Sequence, residues 1–136
     1  MNKLFLNFID SQKLYQIIGN IHPAKFYYGK KDKQIYDSNN IFMNVSNFER
    51  IYIPAYTDSE LNEYLPYKIF LKGKSNGRDA YELCIRKMRS GKFQCEYENQ
   101  NRNLPCLVQL TADTEVEAKA KMIIYLKKQK LLNHEN

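Results

Sequence analysis

The sequence predicts an α+β fold: an antiparallel sheet with the C-terminal helix and a short helix packed on one face, plus an N-terminal β/α extension. Two observations carry this expectation. Runs of alternating apolar and polar residues fill the stretch from Tyr67 to Leu110, punctuated by glycine and asparagine. Two helix starts of the S/T-x-x-E form, Thr57 to Glu60 and Thr114 to Glu117, bracket that stretch. A third observation sets the scale. The chain has 136 residues, 43% of them hydrophobic, which suits one domain with one core.

The N-terminal part reads less regularly. Leu4 to Ile9 reads as a strand. Ser11 to Ile18 reads as a short helix, capped by Asp10 or Ser11 and stopped at Gly19-Asn20. Lys25 to Tyr36 reads as a hairpin turning near Gly29 to Asp32, and Phe42 to Ile53 as one or two further strands. Residues 1–50 are therefore expected to form an extension packed on a main domain at 51–132, with 133–136 a flexible tail. The start, MNKLFLNFID, is a poor signal peptide because its apolar stretch is short and interrupted by Asn7. A cytoplasmic protein without a membrane partner is expected.

In the main domain, Asp58 to Leu65 is expected as a short helix ending before Pro66, and Thr114 to Leu131 as a long one. Val116, Ala120, Ile123, Ile124 and Leu131 mark the apolar side of the long helix, widened by Met122 and Leu126. Its acids occupy the first turn, and Lys127, Lys128 and Lys130 the last. That polarity suits the helix dipole and accounts for those lysines. Strands are expected near 67–72, 80–88, 92–98 and 106–111.

The turns follow from parity. A two-residue Ser90-Gly91 turn would set Ile85 beside Glu96 and mix the two faces. A three-residue turn, Arg89-Ser90-Gly91, pairs Ile85 with Cys95 and Leu83 with Tyr97, and Gly91 supplies the left-handed residue. The same logic rejects a bare Asn76-Gly77 turn in the preceding hairpin. It favours a longer loop that sets Leu71 by Tyr81 and Ile69 by Leu83.

That loop contains Gly73-Lys74-Ser75, the tail of a phosphate-binding loop. The full motif needs a glycine five residues before Gly73 and a helix after it. Lys68 stands at the first position and a strand follows, so this is a hairpin tip.

Charge is concentrated here. Between Lys68 and Lys92 eight bases face two acids, an excess equal to the whole chain's net charge of +6. Lys68, Lys72, Arg86 and Gln94 should face away from the helices, with Phe70 on the same face. Lys74, Arg78, Arg89 and Lys92 fall at hairpin tips. The N-terminal hairpin adds Tyr27, Tyr28, Lys30, Lys31 and Lys33. Cations for phosphates beside aromatics for base stacking are what an RNA-reading sheet combines. Lysines on edge strands also deter aggregation, but Arg78, Arg86 and Arg89 suit phosphate or interface pairing better than solubility requires.

Catalytic signals are weak. Cys84, Cys95 and Cys106 form neither a paired framework nor a C-x-x-C site, and read as small thiols buried in strands. His22 precedes Pro23 in a turn, and His134 sits in the tail. Neither stands within a spaced acid, base or metal set. No catalytic residue, metal, cofactor or small-molecule substrate is expected.

Two stretches, "IPAYTDSELNEYLP" (53–66) and "TADTEVEAKAKMIIYLKKQKLL" (111–132), flank the strand-rich middle. In order and wording this arrangement resembles a group of small phage and prophage proteins. These have a P-A-x-T helix start, an antiparallel sheet and a final amphipathic helix that form an α-β-α sandwich. The resemblance spans roughly residues 51–132, and its motifs cap and pack helices. They imply no active site; many members have no assigned function, and some small proteins of this mobile-element setting are anti-CRISPR or other anti-defence factors. In size and basic, tyrosine-rich character the chain is similar to anti-CRISPR inhibitors of the RNA-targeting type VI-B effector. The implied partner is a host CRISPR effector or its guide RNA. A phage RNA- or DNA-binding regulator and a small metal-independent ribonuclease are the alternative readings.

Overall fold

A computed structural model describes residues 5–19, 24–38, 52–72, 78–101 and 103–132, without the side chains of residues 72 and 78. The described elements run α1 (Phe8–Ile18), β1 (Phe26–Gly29), β2 (Ile35–Asp37), β3 (Tyr52–Pro54), α2 (Asp58–Asn62), β4 (Lys68–Lys72), β5 (Arg78–Lys87), β6 (Phe93–Asn99), β7 (Val108–Ala112) and α3 (Glu115–Lys128). The fold is α+β, as the alternation and the helix starts predict.

The main sheet is an antiparallel meander in the order β4-β5-β6-β7. Leu83 pairs with Tyr97 and Ile85 with Cys95, the register that the three-residue turn requires. Gly91 has φ +91°, a conformation that glycine adopts without steric cost. The tip is closed by Met88 N–H donating to Lys92 O (2.7 Å) and Gly91 N–H to Met88 O (2.9 Å).

The β4–β5 register differs from expectation. Ile69 pairs with Tyr81 and Leu71 with Asp79, two residues away from the predicted pairing. A slip of two leaves every side chain on its predicted face, so parity could not distinguish the two registers.

One face of this sheet meets the helices. Ile69, Cys95, Tyr97 and Ala112 are buried against Val116, Ala120, Met122, Ile123 and Leu126 of α3, with Leu61 and Leu65 from the α2 region. Leu6, Leu14 and Ile18 from the N-terminal helix region join the same core. Tyr97 is fully buried, and its hydroxyl donates to Pro66 O (2.6 Å). The sequence stripe omits two residues of this interior, Ala118 and Lys119. Lys119 is 3% exposed, and its Nζ donates to Asp58 Oδ2 and Glu115 Oε2, both at 2.8 Å. Burial alone would depress this amine's pKa, but the two carboxylates outweigh it and hold the pKa above its usual range. The pair ties α2 to α3.

Helix starts behave as read, with one difference. Thr57 and Glu60 form the full reciprocal capping box. At α3, Thr114 Oγ1 accepts from Glu117 N–H (3.2 Å) and donates to Glu117 Oε1 (2.8 Å), so the return bond runs side chain to side chain. The short helix is regular only to Asn62 and then tightens into i→i+3 bonds through Leu65.

At the N-terminus, Phe8 and Ile9 open α1 where a strand was expected. Asn7 is the cap, its side chain accepting from Asp10 N–H (2.8 Å), which draws the helix start three residues earlier than a cap at Asp10 would, and four earlier than one at Ser11. β1 lies between β2 and β3 in a second, three-stranded antiparallel sheet, so this sheet joins segments on both sides of position 50. The strand expected over 42–51 lies outside the described residues, apart from β3 beyond it.

Candidate nucleic-acid interface

Consecutive turns of a meander alternate between its two ends. Lys72 and Arg78 pair at one end of β5, and Lys87 pairs with Phe93 at the other. Ten residues of extended chain at about 3.4 Å each set these ends roughly 30 Å apart. The basic segment of the sequence is therefore two separate sites. Lys74 lies outside the described residues.

The β5–β6 tip is the better defined end. Lys87, Met88, Arg89, Ser90, Gly91 and Lys92 are all exposed. Arg89 has no hydrogen bond or ion pair among the described residues. Lys92 reaches Asp113 only at 3.9 Å with both groups in solvent, a pair of negligible strength. The Lys87 ammonium lies 5.9 Å from the Phe93 ring centre. The turn bonds and Gly91 fix the backbone, so the cations are presented on a rigid loop.

Behind the tip, the open face of the sheet departs from the expected cationic surface. Arg86 Nη2 donates to Glu98 Oε2 (2.8 Å) and Cys84 Sγ (3.1 Å), and stands 3.5 Å from Glu96 Oε1. The sulfur and the Glu98 carboxylate, with Glu96 behind them, raise the guanidinium pKa further. Glu96 is buried and also accepts from Gln94 and from Gln109 Nε2 (3.4 Å). Gln94 faces away from the helices as predicted, but it is buried in this network. Glu82 lies opposite Lys68 on one side and Glu98 on the other. The middle of the face is thus acidic, and Arg86 serves it internally. These partners were implicit in the predicted register, which sets Gln94 beside Arg86 and Glu96 beside Cys84.

Lys68 and Phe70 do reach solvent on this face, Phe70 at 49% exposure. The Lys68 ammonium lies 6.0 Å from the Tyr67 ring centre. A hydrogen bond from Tyr67 to Glu82 raises that phenol's pKa.

Tyr27 and Tyr28 are not at a tip. They lie within β1, the central strand, at 5% and 8% exposure. Tyr28 hydroxyl donates to Leu6 O (2.6 Å), and Tyr27 hydroxyl accepts from Ala24 N–H (3.1 Å). Both are core residues and offer no ring for stacking. The turn itself begins at Lys30, half-buried, and Lys31, exposed.

The thiols diverge. Cys95 is buried, and desolvation pushes its pKa up to about 12. Cys84 is half-buried beside Arg86, whereas Cys106 is exposed in the β6–β7 loop and not in a strand as expected. Among the described residues no group of three or more His, Cys, Asp or Glu is placed to hold a metal ion. Nor is any described helix long and apolar enough to cross a membrane. His22 and His134 lie outside the described residues.

Two adjoining cavities sit at the Arg78 end of β5, under the β6–β7 loop. The larger, about 380 Å³, is walled by Tyr81, Leu104, Pro105, Cys106 and Leu107, with Asp79 and Asn99 as its polar groups. A smaller one of about 160 Å³ shares Asn99, Leu104 and Cys106 and reaches Glu96 and Glu98. The sequence reading placed Lys72, Lys74 and Arg78 at this end but pointed to no cavity there.

Comparison of the chain with protein-family models, with curated proteins and with solved structures returns no match.

Proposed function

We propose that this chain is a phage-type anti-defence protein that inhibits a host ribonucleoprotein effector by binding it, without catalysis, and that it contacts the effector's guide RNA. The observation that carries the reading is the β5–β6 tip, a rigid hairpin turn whose Lys87, Arg89 and Lys92 stand in solvent, with Arg89 lacking any partner among the described residues. Unneutralised cations on a pre-ordered loop bind phosphate with little ordering cost. The family resemblance supplies the kind of target, an RNA-targeting CRISPR effector of type VI-B.

The test is inhibition and binding of that ribonucleoprotein at about 50 and 200 mM salt. Wild type should bind more weakly at the higher salt. The Arg89→Ala/Lys92→Ala variant should lose most inhibition, and its salt slope should fall by roughly 1.4, about 0.7 for each single-strand phosphate contact. Arg86→Ala should change little, because Arg86 already serves Glu98. Wild-type inhibition by the tip variant, or salt-independent binding, would remove this reading. Binding to the effector protein stripped of RNA, with no loss on tip substitution, would move the contact to protein.

A further inference from the structure

We propose that the 380 Å³ cavity at the Arg78 end of the sheet binds an unpaired guanine base of single-stranded RNA. This deepens the reading above and rests on it. The tip would hold backbone phosphates, and the cavity, at the far end of β5, would read a base.

The argument begins with two polar groups that the chain leaves unused. Asn99 is 6% exposed, and its Oδ1 accepts from Asn101 N–H at 2.8 Å. That bond fixes the amide's orientation, because only the oxygen can accept from a backbone N–H. The Nδ2 group is thereby left over, and it has no hydrogen bond among the described residues. Asn99 nonetheless lines both cavities. Asn99 Nδ2 is thus a donor open to the cavities, available to water or to a ligand that displaces it.

Asp79 lines the same cavity and has neither an ion pair nor a hydrogen bond among the described residues. Tyr81 pairs directly with Asn99, and Asp79 lies two residues before Tyr81 on the same face, so Asp79 and Asn99 are diagonal neighbours. Such neighbours stand roughly 7–8 Å apart. A donor and an anionic acceptor therefore line one cavity from diagonal positions of adjacent strands.

The remaining walls, Tyr81, Leu104, Pro105 and Leu107, are largely apolar. The volume lies at the low end of the roughly 300–1,000 Å³ typical of small-molecule sites, which suits one heterocycle. Unstacked bases packed on aromatic side chains and bonded along their edges are the usual route to reading single-stranded RNA. Guanine matches the polar pair best. Its adjacent N1–H and N2–H both donate to one carboxylate, here Asp79, and its O6 accepts from Asn99 Nδ2. Adenine and cytosine offer the carboxylate one amino group and no second adjacent N–H. Uracil offers a single N–H flanked by two carbonyls.

The experiment titrates the intact chain with guanosine, adenosine, cytidine and uridine 5′-monophosphates. It follows the Asn99 side-chain amide and the Leu104 and Leu107 methyl groups by NMR. Guanosine monophosphate should shift these signals and bind about tenfold or more tighter than the others. Asn99→Leu should abolish the preference. Because Asn99 is nearly buried, the decisive variant is Asp79→Asn, at a half-buried rim position. An amide in place of the carboxylate presents a donor, so the preference should switch from guanosine to xanthosine, whose 2-carbonyl replaces the 2-amino group. A misfolded variant could not show that switch.

Equal response to all four nucleotides, or an unchanged guanosine preference in Asp79→Asn, would overturn the proposal. No nucleotide response in a chain that still inhibits the ribonucleoprotein would sink the base pocket and leave the proposed function standing. Guanosine selectivity in a chain that binds no ribonucleoprotein would support the pocket and remove the inhibitor reading.

Discussion

The two faces of the β4–β7 sheet are built from alternate residues of the same strands, and they are organised by different physics. The helix face is held by area: Ile69, Cys95, Tyr97 and Ala112 meet α3, and their neighbours in space are apolar. The open face is held by pairing: Arg86, Gln94 and Gln109 converge on Glu96, with Glu98 completing the set. Apolar character survives translation into three dimensions, and net charge does not. Summing charges along Lys68 to Lys92 ignores the acids that the next strand supplies. It also ignores that a meander sends its two basic turns to opposite ends.

Truncation to alanine on each face separates the two kinds of stabilisation. Tyr97→Ala removes a fully buried ring and the bond to Pro66, and should cost about 3–5 kcal/mol. Gln109→Ala on the open face should stay near 0.5 kcal/mol. Urea unfolding of the two variants decides it, and similar losses would show the open face to be a second core.

Next in size is the buried amine. Lys119→Ala should cost about 1.5–3 kcal/mol, the range for hydrogen bonds to charged groups. Lys119→Met fills the same volume without the charge and should recover a good part of that loss, since an apolar isostere often replaces a buried ion pair well. If the two variants unfold at the same denaturant concentration, the carboxylate bonds matter and the packing does not.

Alkaline titration weighs the buried thiol and phenols of the helix face. Folding raises the Cys95 thiol from the ordinary value near 9 to about 12, and burial raises the Tyr56 and Tyr97 phenols as well. The folded chain keeps protons that the unfolded chain releases. Stability from Cys95 is therefore complete below about pH 9 and declines toward pH 12, by about 1.4 kcal/mol per pH unit. Thermal midpoints measured from pH 8 to 11 should fall, and Cys95→Ala should flatten the first part of that fall.

The smallest effect belongs to Arg86→Ala. Its side chain is half exposed, so the ion pairs contribute about 1 kcal/mol or less. A loss above about 3 kcal/mol, the scale of a broken buried pair, would mean that Glu96 depends on this one cation.

Most of the fold was legible in the residues, because alternation, capping boxes and a glycine turn are local signals that tertiary packing here reinforces. The β4–β5 register was not, since period-two patterns are blind to a slip of two. Less of the candidate site could be read. Arg89 and Lys92 sit at an exposed tip as expected, but Tyr27 and Tyr28 proved interior because a hairpin strand can become the middle of a sheet once a third strand joins it. Lys119 had a signal that went unused: it stands three residues after Val116 and four before Ile123, on the apolar stripe, with Glu115 one turn back. The Asp79 and Asn99 cavity depends on a loop crossing that no periodicity encodes.

Lys121 carries one further consequence. Its ammonium donates to the carbonyl oxygen of Thr111 at 2.8 Å, on the outermost strand of the main sheet. A strand at that position is a template for another molecule's backbone, and a bound ammonium occupies one of the acceptors such pairing needs. The side chain thus blunts this edge against strand-to-strand growth.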